Sequence, residues 1–224
     1  MELILAMWDW FAQPEVWRGP AGIPTRLAEH AGYSTLALAL AALVAIPVGL
    51  LTGHTGRGGF LAVTLANVAR ALPTMGVLLL VVLLAGIGLV PVLVALVALA
   101  VPPILVNTYE GVRGVEAQLR DAALGMGMRG WQVLLRLEMP VALPLVLVGM
   151  RTAAIQVVAT ATIAAYVGVG GLGRYIFDGQ SSQQYDMMIG GVLLVVLLAV
   201  VVTSVFSLAR RFLVAPGVRH SANV

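Results

Sequence analysis

The chain has 224 residues, 60% of them hydrophobic and 10% charged, with a mean hydropathy of +1.00 and a formal net charge of +3. Soluble domains carry about 25% charged residues, so a solvated globule is excluded; the expected molecule is an all-α integral membrane protein in one compact bundle. Cys is absent, which excludes disulfides and thiolate chemistry, and Lys is absent, which excludes a G-x-x-x-x-G-K-[ST] phosphate loop.

Residues 1–29 mix Trp8, Trp10, Phe11 and Trp17 with Glu2, Asp9, Glu15 and Pro14. They lack a basic start and a small-residue cleavage site, so a signal peptide is not expected. Trp at this density predicts a segment at the membrane interface. A span needs about 20 apolar residues, and about five are predicted. They run near His30–Leu51, Phe60–Gly86 with a break at Pro73, Leu89–Asn107 weakened by Pro102-Pro103, Met139–Tyr166, and Met187–Ala209. Residues 211–224 form an expected cytoplasmic tail.

Arginines divide between the two sets of connections. One set holds Arg57, Arg113, Arg120, Arg129, Arg136, Arg210, Arg211 and Arg219; the other holds Arg18, Arg26 and Arg174. The richer set is expected inside, which puts the N-terminus outside, the C-terminus inside and segment 113–140 in the cytoplasm. No basic patch is interleaved with aromatics, so nucleic acid is not an expected partner.

Within that segment, Asp121-Ala122-Ala123, Gly127 and Leu137-x-Met139-Pro140 fit the pattern E-A-A, three residues, G, nine residues, I-x-L-P. Asp for Glu, Leu for Ile and Met for Leu are conservative, and the spacing is intact. Small residues at Ala122, Ala123, Gly125 and Gly127 suit a short helix seated in a partner's groove. Gly130 and Pro140 end or redirect short helices, and Met126 and Met128 suit packing at such a surface.

The chain resembles the permease subunits of osmoprotectant ABC importers over about residues 30–210. Besides the loop pattern, the resemblance rests on Ala45-Ile46-Pro47-Val48-Gly49, Arg70-Ala71-Leu72-Pro73-Thr74, Pro103–Tyr109 with Gly111, Gly149-Met150-Arg151-Thr152-Ala153, and Gly170-Gly171-Leu172-Gly173 followed by Tyr175-Ile176-Phe177. It implies a type I importer permease for glycine betaine, carnitine or choline, in the inner (cytoplasmic) membrane. It also implies a second permease chain, identical or homologous, an extracytoplasmic binding protein, and separate ATPase subunits that carry ATP and magnesium. The chain itself is then not an enzyme. Asp121, Ala122, Ala123, Gly125, Gly127, Arg129 and Pro140 become the ATPase-coupling residues.

Gly168-Val-Gly-Gly-Leu-Gly173 satisfies G-x-G-x-x-G, but it follows a membrane helix rather than a strand, so dinucleotide binding is rejected. The glycines make either a tight re-entrant turn or an ordinary outer loop, with Arg174, Tyr175 and Asp178 as candidate contacts for the binding protein. Thr152, Gln156 and Thr160 recur every fourth position on one helix face; they either line the pathway or hydrogen-bond a neighbouring helix. Asn67, Thr74 and Asn107 are further pathway candidates. Arg151 is expected to pair with carbonyls or a helix end, and Arg70 is of the same kind. His30, His54 and His220 are scattered, without a metal-site spacing, and are expected at interfaces or in loops. Acids are expected only in loops and termini, which argues against a proton relay or an ion-coupled carrier. The rival readings are a permease for methionine or another small solute and, in a different class, a passive channel.

Overall fold

The computed structural model describes residues 2–71 and 73–214, which are helices and turns without a strand. The order is α1 (Glu2–Ala12), a 3-10 turn (Pro14–Trp17), α2 (Ile23–Thr55), α3 (Gly59–Ala71), α4 (Thr74–Ala85), α5 (Leu89–Arg113) and α6 (Ala117–Gly125). Then come α7 (Gly130–Val133), a π-helical turn (Leu134–Glu138), α8 (Met139–Ala161), a 3-10 turn (Thr162–Val167), α9 (Gly173–Ser181) and α10 (Tyr185–Leu213). His220, Arg219 and most of the expected tail lie outside the described residues, as does the side chain of Arg70.

Among the described residues, four stretches are long and apolar enough to cross a membrane: Ile23–Thr55, Leu89–Arg113, Gly130–Val167 and Tyr185–Leu213. The sequence predicts about five. The difference lies in the second expected span, which is divided at Pro73 into helices of 13 and 12 residues. Proline disfavours helix at the residue before it and supplies no N–H, and Pro73 caps α4 with an extended backbone, φ −65° and ψ 121°. Pro102 and Pro103, by contrast, lie inside a continuous α5.

The described residues form two compact units, one from 2–38, 73–97 and 154–202, the other from 39–71, 98–153 and 203–214. The first is built on Trp10, Ile23, Leu172 and Tyr175. Trp10 meets Tyr175 edge-on at 5.3 Å. Gly190 and Gly191 of α10 leave room for Trp10 and Tyr175, since an added Cβ would sit 2.5 and 2.7 Å from those side chains. The N-terminal segment is therefore partly core: Trp10 is buried while Trp8 stays exposed.

The second unit packs two helices on α5 through glycines. Gly49 and Gly53 of α2 lie so close to Thr108 and Val112 that a Cβ at either would come within 2.7 Å. Gly149 of α8 meets Asn107 and Pro103 in the same way at 2.8 Å. Small residues four apart allow this backbone approach. In the most apolar stretch of α5, 56% of residues are buried, whereas none are in that of α10, which offers an uncovered apolar surface.

Candidate functional site

The segment that carries the loop pattern belongs wholly to the second unit. It consists of α6, a glycine turn, α7 and the π-helical turn that leads into α8. The Met128 N–H bonds the Ala123 carbonyl (3.1 Å) and the Gly127 N–H that of Leu124 (2.9 Å), with Gly127 at φ +84°. This is the left-handed Schellman ending of a helix, which favours glycine. The spacing from Asp121-Ala122-Ala123 to Gly127 thus encodes the length of a short helix and its stop. Gln132 then takes the N3 position of α7, and its Oε1 accepts the Arg129 N–H at 2.7 Å, as in a capping box.

Asp121, Ala122, Gly125, Gly127, Arg129 and Pro140 are exposed, whereas Ala123 is buried and seats α6 on its own unit. Leu119, Leu124, Met126, Trp131 and Leu135 are also exposed, Met126 at 78%. Apolar side chains gathered on so short a polar segment mark an interaction surface. Pro140 follows the π-helical turn directly at the start of α8, and having no N–H it cannot continue the backbone bonding there.

Beneath this surface lies a cluster that the sequence reading missed. The Glu138 carboxylate is 1% exposed. His54 Nδ1 at the end of α2 approaches its Oε2 at 2.6 Å, and Arg120 Nε of α6 approaches its Oε1 at 2.7 Å. Arg120 also donates to the Val112 carbonyl of α5. An ionised carboxylate only accepts, so His54 Nδ1 carries the hydrogen. Glu138 therefore joins α2, α6 and the start of α8, and Arg120 adds α5. A π-turn re-aims side chains by one residue, and here it ends on Glu138. The available signal was an acid wedged between Leu137 and Met139-Pro140 at the mouth of a span, where a charge is costly without partners. His54 is accordingly a hydrogen-bond partner of Glu138 at the end of α2 rather than a loop residue.

The remaining candidates are divided between the two units. Asn67 is exposed on α3 and Thr74 opens α4 half-buried. Asn107 Nδ2 donates to the Pro103 carbonyl at 2.7 Å. Along α8, Thr152 is exposed and donates to the Val148 carbonyl, Gln156 is half-buried and Thr160 is buried. Arg151 is a correction. Instead of pairing with carbonyls it stands exposed, without a hydrogen bond among the described residues, in a small pocket lined by Phe206, Ser207 and Arg210.

In the first unit, the glycines of 168–173 make a tight turn, with Gly168 at φ +81° and Gly171 at φ +99°. Glu29 Oε2 accepts the Gly171 N–H at 2.8 Å and also pairs with Arg26 at 3.0 Å, while His30 Nε2 lies 2.9 Å from the Val158 carbonyl. Glu29 and His30 thus lie within α2, where loop positions were expected; Glu29 clasps this turn and His30 ties α2 to α8. Tyr175 is a second correction: its ring is buried and its hydroxyl donates to the Ala21 carbonyl at 2.6 Å, so it offers no contact surface. Burial pushes its phenol up to about 12, with Arg26 pulling it down and Glu29 pushing it up. Arg174 and Asp178 remain accessible and pair at 3.0 Å.

A family model of binding-protein-dependent transport system inner membrane components matches residues 45–219. The chain is 35% identical over 196 residues to the glycine betaine/carnitine/choline transport system permease protein of Bacillus subtilis, covering 88% of this chain and 90% of that one. It is 37% identical over 192 residues to the choline transport system permease protein of the same organism, covering 86% and 88%. It is 32% identical over 199 residues to an osmoprotectant import permease protein of Salmonella typhimurium, covering 85% and 91%. The inward-facing methionine ABC transporter superposes with a TM-score of 0.73 at 22% identity, covering 84% of this chain and 94% of that one; this similarity speaks to the fold.

Proposed function

Because the chain belongs to the binding-protein-dependent transport system inner membrane components, we propose that it forms the transmembrane pathway of an ABC importer for compatible solutes of the glycine betaine, carnitine and choline class. The solute class is supported by relatives 35–37% identical over most of the chain. The fold is that of a type I importer permease, in a multi-pass membrane protein. The observation that carries the mechanism is α6: a glycine-terminated helix with an exposed apolar face, tied to α2, α5 and α8 through Arg120 and Glu138.

In this reading separate ATPase subunits, which bind ATP and magnesium, dock on Asp121, Ala122, Gly125, Gly127 and Arg129. ATP-driven closure moves α6, and the ion-paired cluster passes that movement to the long helices, turning a central site from one side to the other. Two permease chains form the pathway, and Asn67, Thr74, Asn107, Thr152, Gln156 and Thr160 are its proposed polar lining. An extracytoplasmic binding protein delivers the solute near Arg174 and Asp178. Arg distribution supports a cytoplasmic coupling segment in the inner membrane. An outer N-terminus and inner C-terminus then require an odd number of crossings, so the apolar segment 59–85 is proposed to supply the fifth.

The test is uptake of labelled glycine betaine at high osmolality, in a strain lacking the gene and in the same strain complemented, with methionine run alongside. Betaine uptake restored by the gene and lost on ATP depletion is expected. Restoration of methionine uptake alone would refute the solute class and leave the coupling argument standing.

A further inference from the structure

A pocket of about 350 Å³ in the first unit is lined by Tyr166, Phe177, Arg174, Asp178 and Gln180. That volume suits a small solute. Tyr166 and Phe177 form an aromatic corner, ring centroids 5.7 Å apart and planes at 61°. Tyr166 is 58% exposed, while Ala164, Ala165 and Val167 around it are buried, so the turn holds this one ring out at the pocket. A quaternary ammonium has no N–H to donate; aromatic faces and carboxylates are what attract it. Arg174 supplies the opposite charge. Its Nη2 meets Asp178 Oδ1 at 3.0 Å and its Nη1 lies 3.4 Å from the Ala165 carbonyl. A guanidinium has five N–H donors, which leaves some for a ligand carboxylate. Asp178 also offsets the Arg174 charge, so an ammonium beside it is not repelled.

We propose that this pocket binds the solute itself, taking the quaternary ammonium against Tyr166 and Phe177 and the carboxylate at Arg174, and that it therefore selects zwitterions such as glycine betaine over choline, which lacks a carboxylate. The inference rests on the solute class proposed above. Neither ring belongs to the polar pathway lining.

The test uses the whole importer, permease with ATPase subunits and loaded binding protein, in proteoliposomes, with labelled glycine betaine and labelled choline as probes. Tyr166→Ala is expected to lower betaine turnover about tenfold, as loss of one cation–π contact implies, while Tyr166→Phe stays within about twofold. The paired change Arg174→Gln with Asp178→Asn keeps a neutral side-chain pair; it is expected to lower betaine turnover about tenfold relative to choline turnover. A structural role would lower both solutes together. Equal losses for both solutes in the paired variant, wild-type betaine turnover in Tyr166→Ala, or a loss matched by weakened binding-protein affinity would each overturn the proposal, the last by making this a docking surface. Should the wild type carry betaine alone, the two Tyr166 variants decide. Should it carry neither solute, the functional reading fails and this proposal fails with it.

Discussion

Replacing Glu138 by Leu removes the carboxylate that joins the coupling segment to the long helices. At an effective dielectric of about 20, charges 2.7 Å apart, the Arg120–Glu138 separation, attract by about 6 kcal/mol before desolvation. Desolvation of a 1%-exposed carboxylate takes back much of that gain. Removing one partner of a buried pair costs about 3–5 kcal/mol. Arg120 and His54 side chains are 22% and 26% exposed and recover part of their hydration, so a loss of about 2–3 kcal/mol is expected for Glu138→Leu. Glu138→Gln keeps an acceptor for His54 Nδ1–H and gives up only the charge on Arg120, for about 1–2 kcal/mol. Two readouts apply. Thermal unfolding of the purified complex should rank wild type above Gln above Leu. The ATP hydrolysed per betaine transported should rise in the same order, because α6 moves without carrying α2 and α8. A Glu138→Leu complex that melts with the wild type and consumes no extra ATP per solute would refute the reasoning.

Two further outcomes are expected. Gly127→Val places a β-branched residue at φ +84°, at a cost of about 1–2 kcal/mol. It should insert normally yet lose uptake at least about tenfold, whereas Gly127→Asn tolerates that backbone and keeps most of it; Gly127→Asp should abolish uptake by adding charge to the docking face. Uptake normalised to immunoblotted protein distinguishes these cases. Tyr175 ionises near pH 12 in the folded chain against 10.0 when unfolded. Its contribution to stability is therefore full below about pH 10 and is lost as pH rises toward 12. Tyr175→Phe should flatten that alkaline decline, read by helical circular dichroism between pH 9 and 12.

Composition and periodicity carried much of this molecule. A chain so poor in charge has no soluble alternative, and twenty-residue apolar runs have little option but helix, since lipid offers backbone groups no other partner. Pro73 was legible as a break because the ring's effect is local. The distance from Asp121 to Gly127 was legible for the same reason: helix length and a left-handed stop are written in neighbouring residues. Other features depend on residues far apart in the chain. Glu138 reads as one more loop acid until folding brings His54 and Arg120 to it from 84 and 18 positions away. His30 and Tyr175 read as peripheral until folding brings the Val158 carbonyl to one and the Ala21 carbonyl to the other. Gly49 and Gly53 show their purpose only against Thr108 and Val112. Local backbone preference and the membrane's demand for apolar length were thus set by the sequence alone. Which polar groups are buried together, and which ring is left out at a pocket, was decided by packing between segments that no short-range pattern connects.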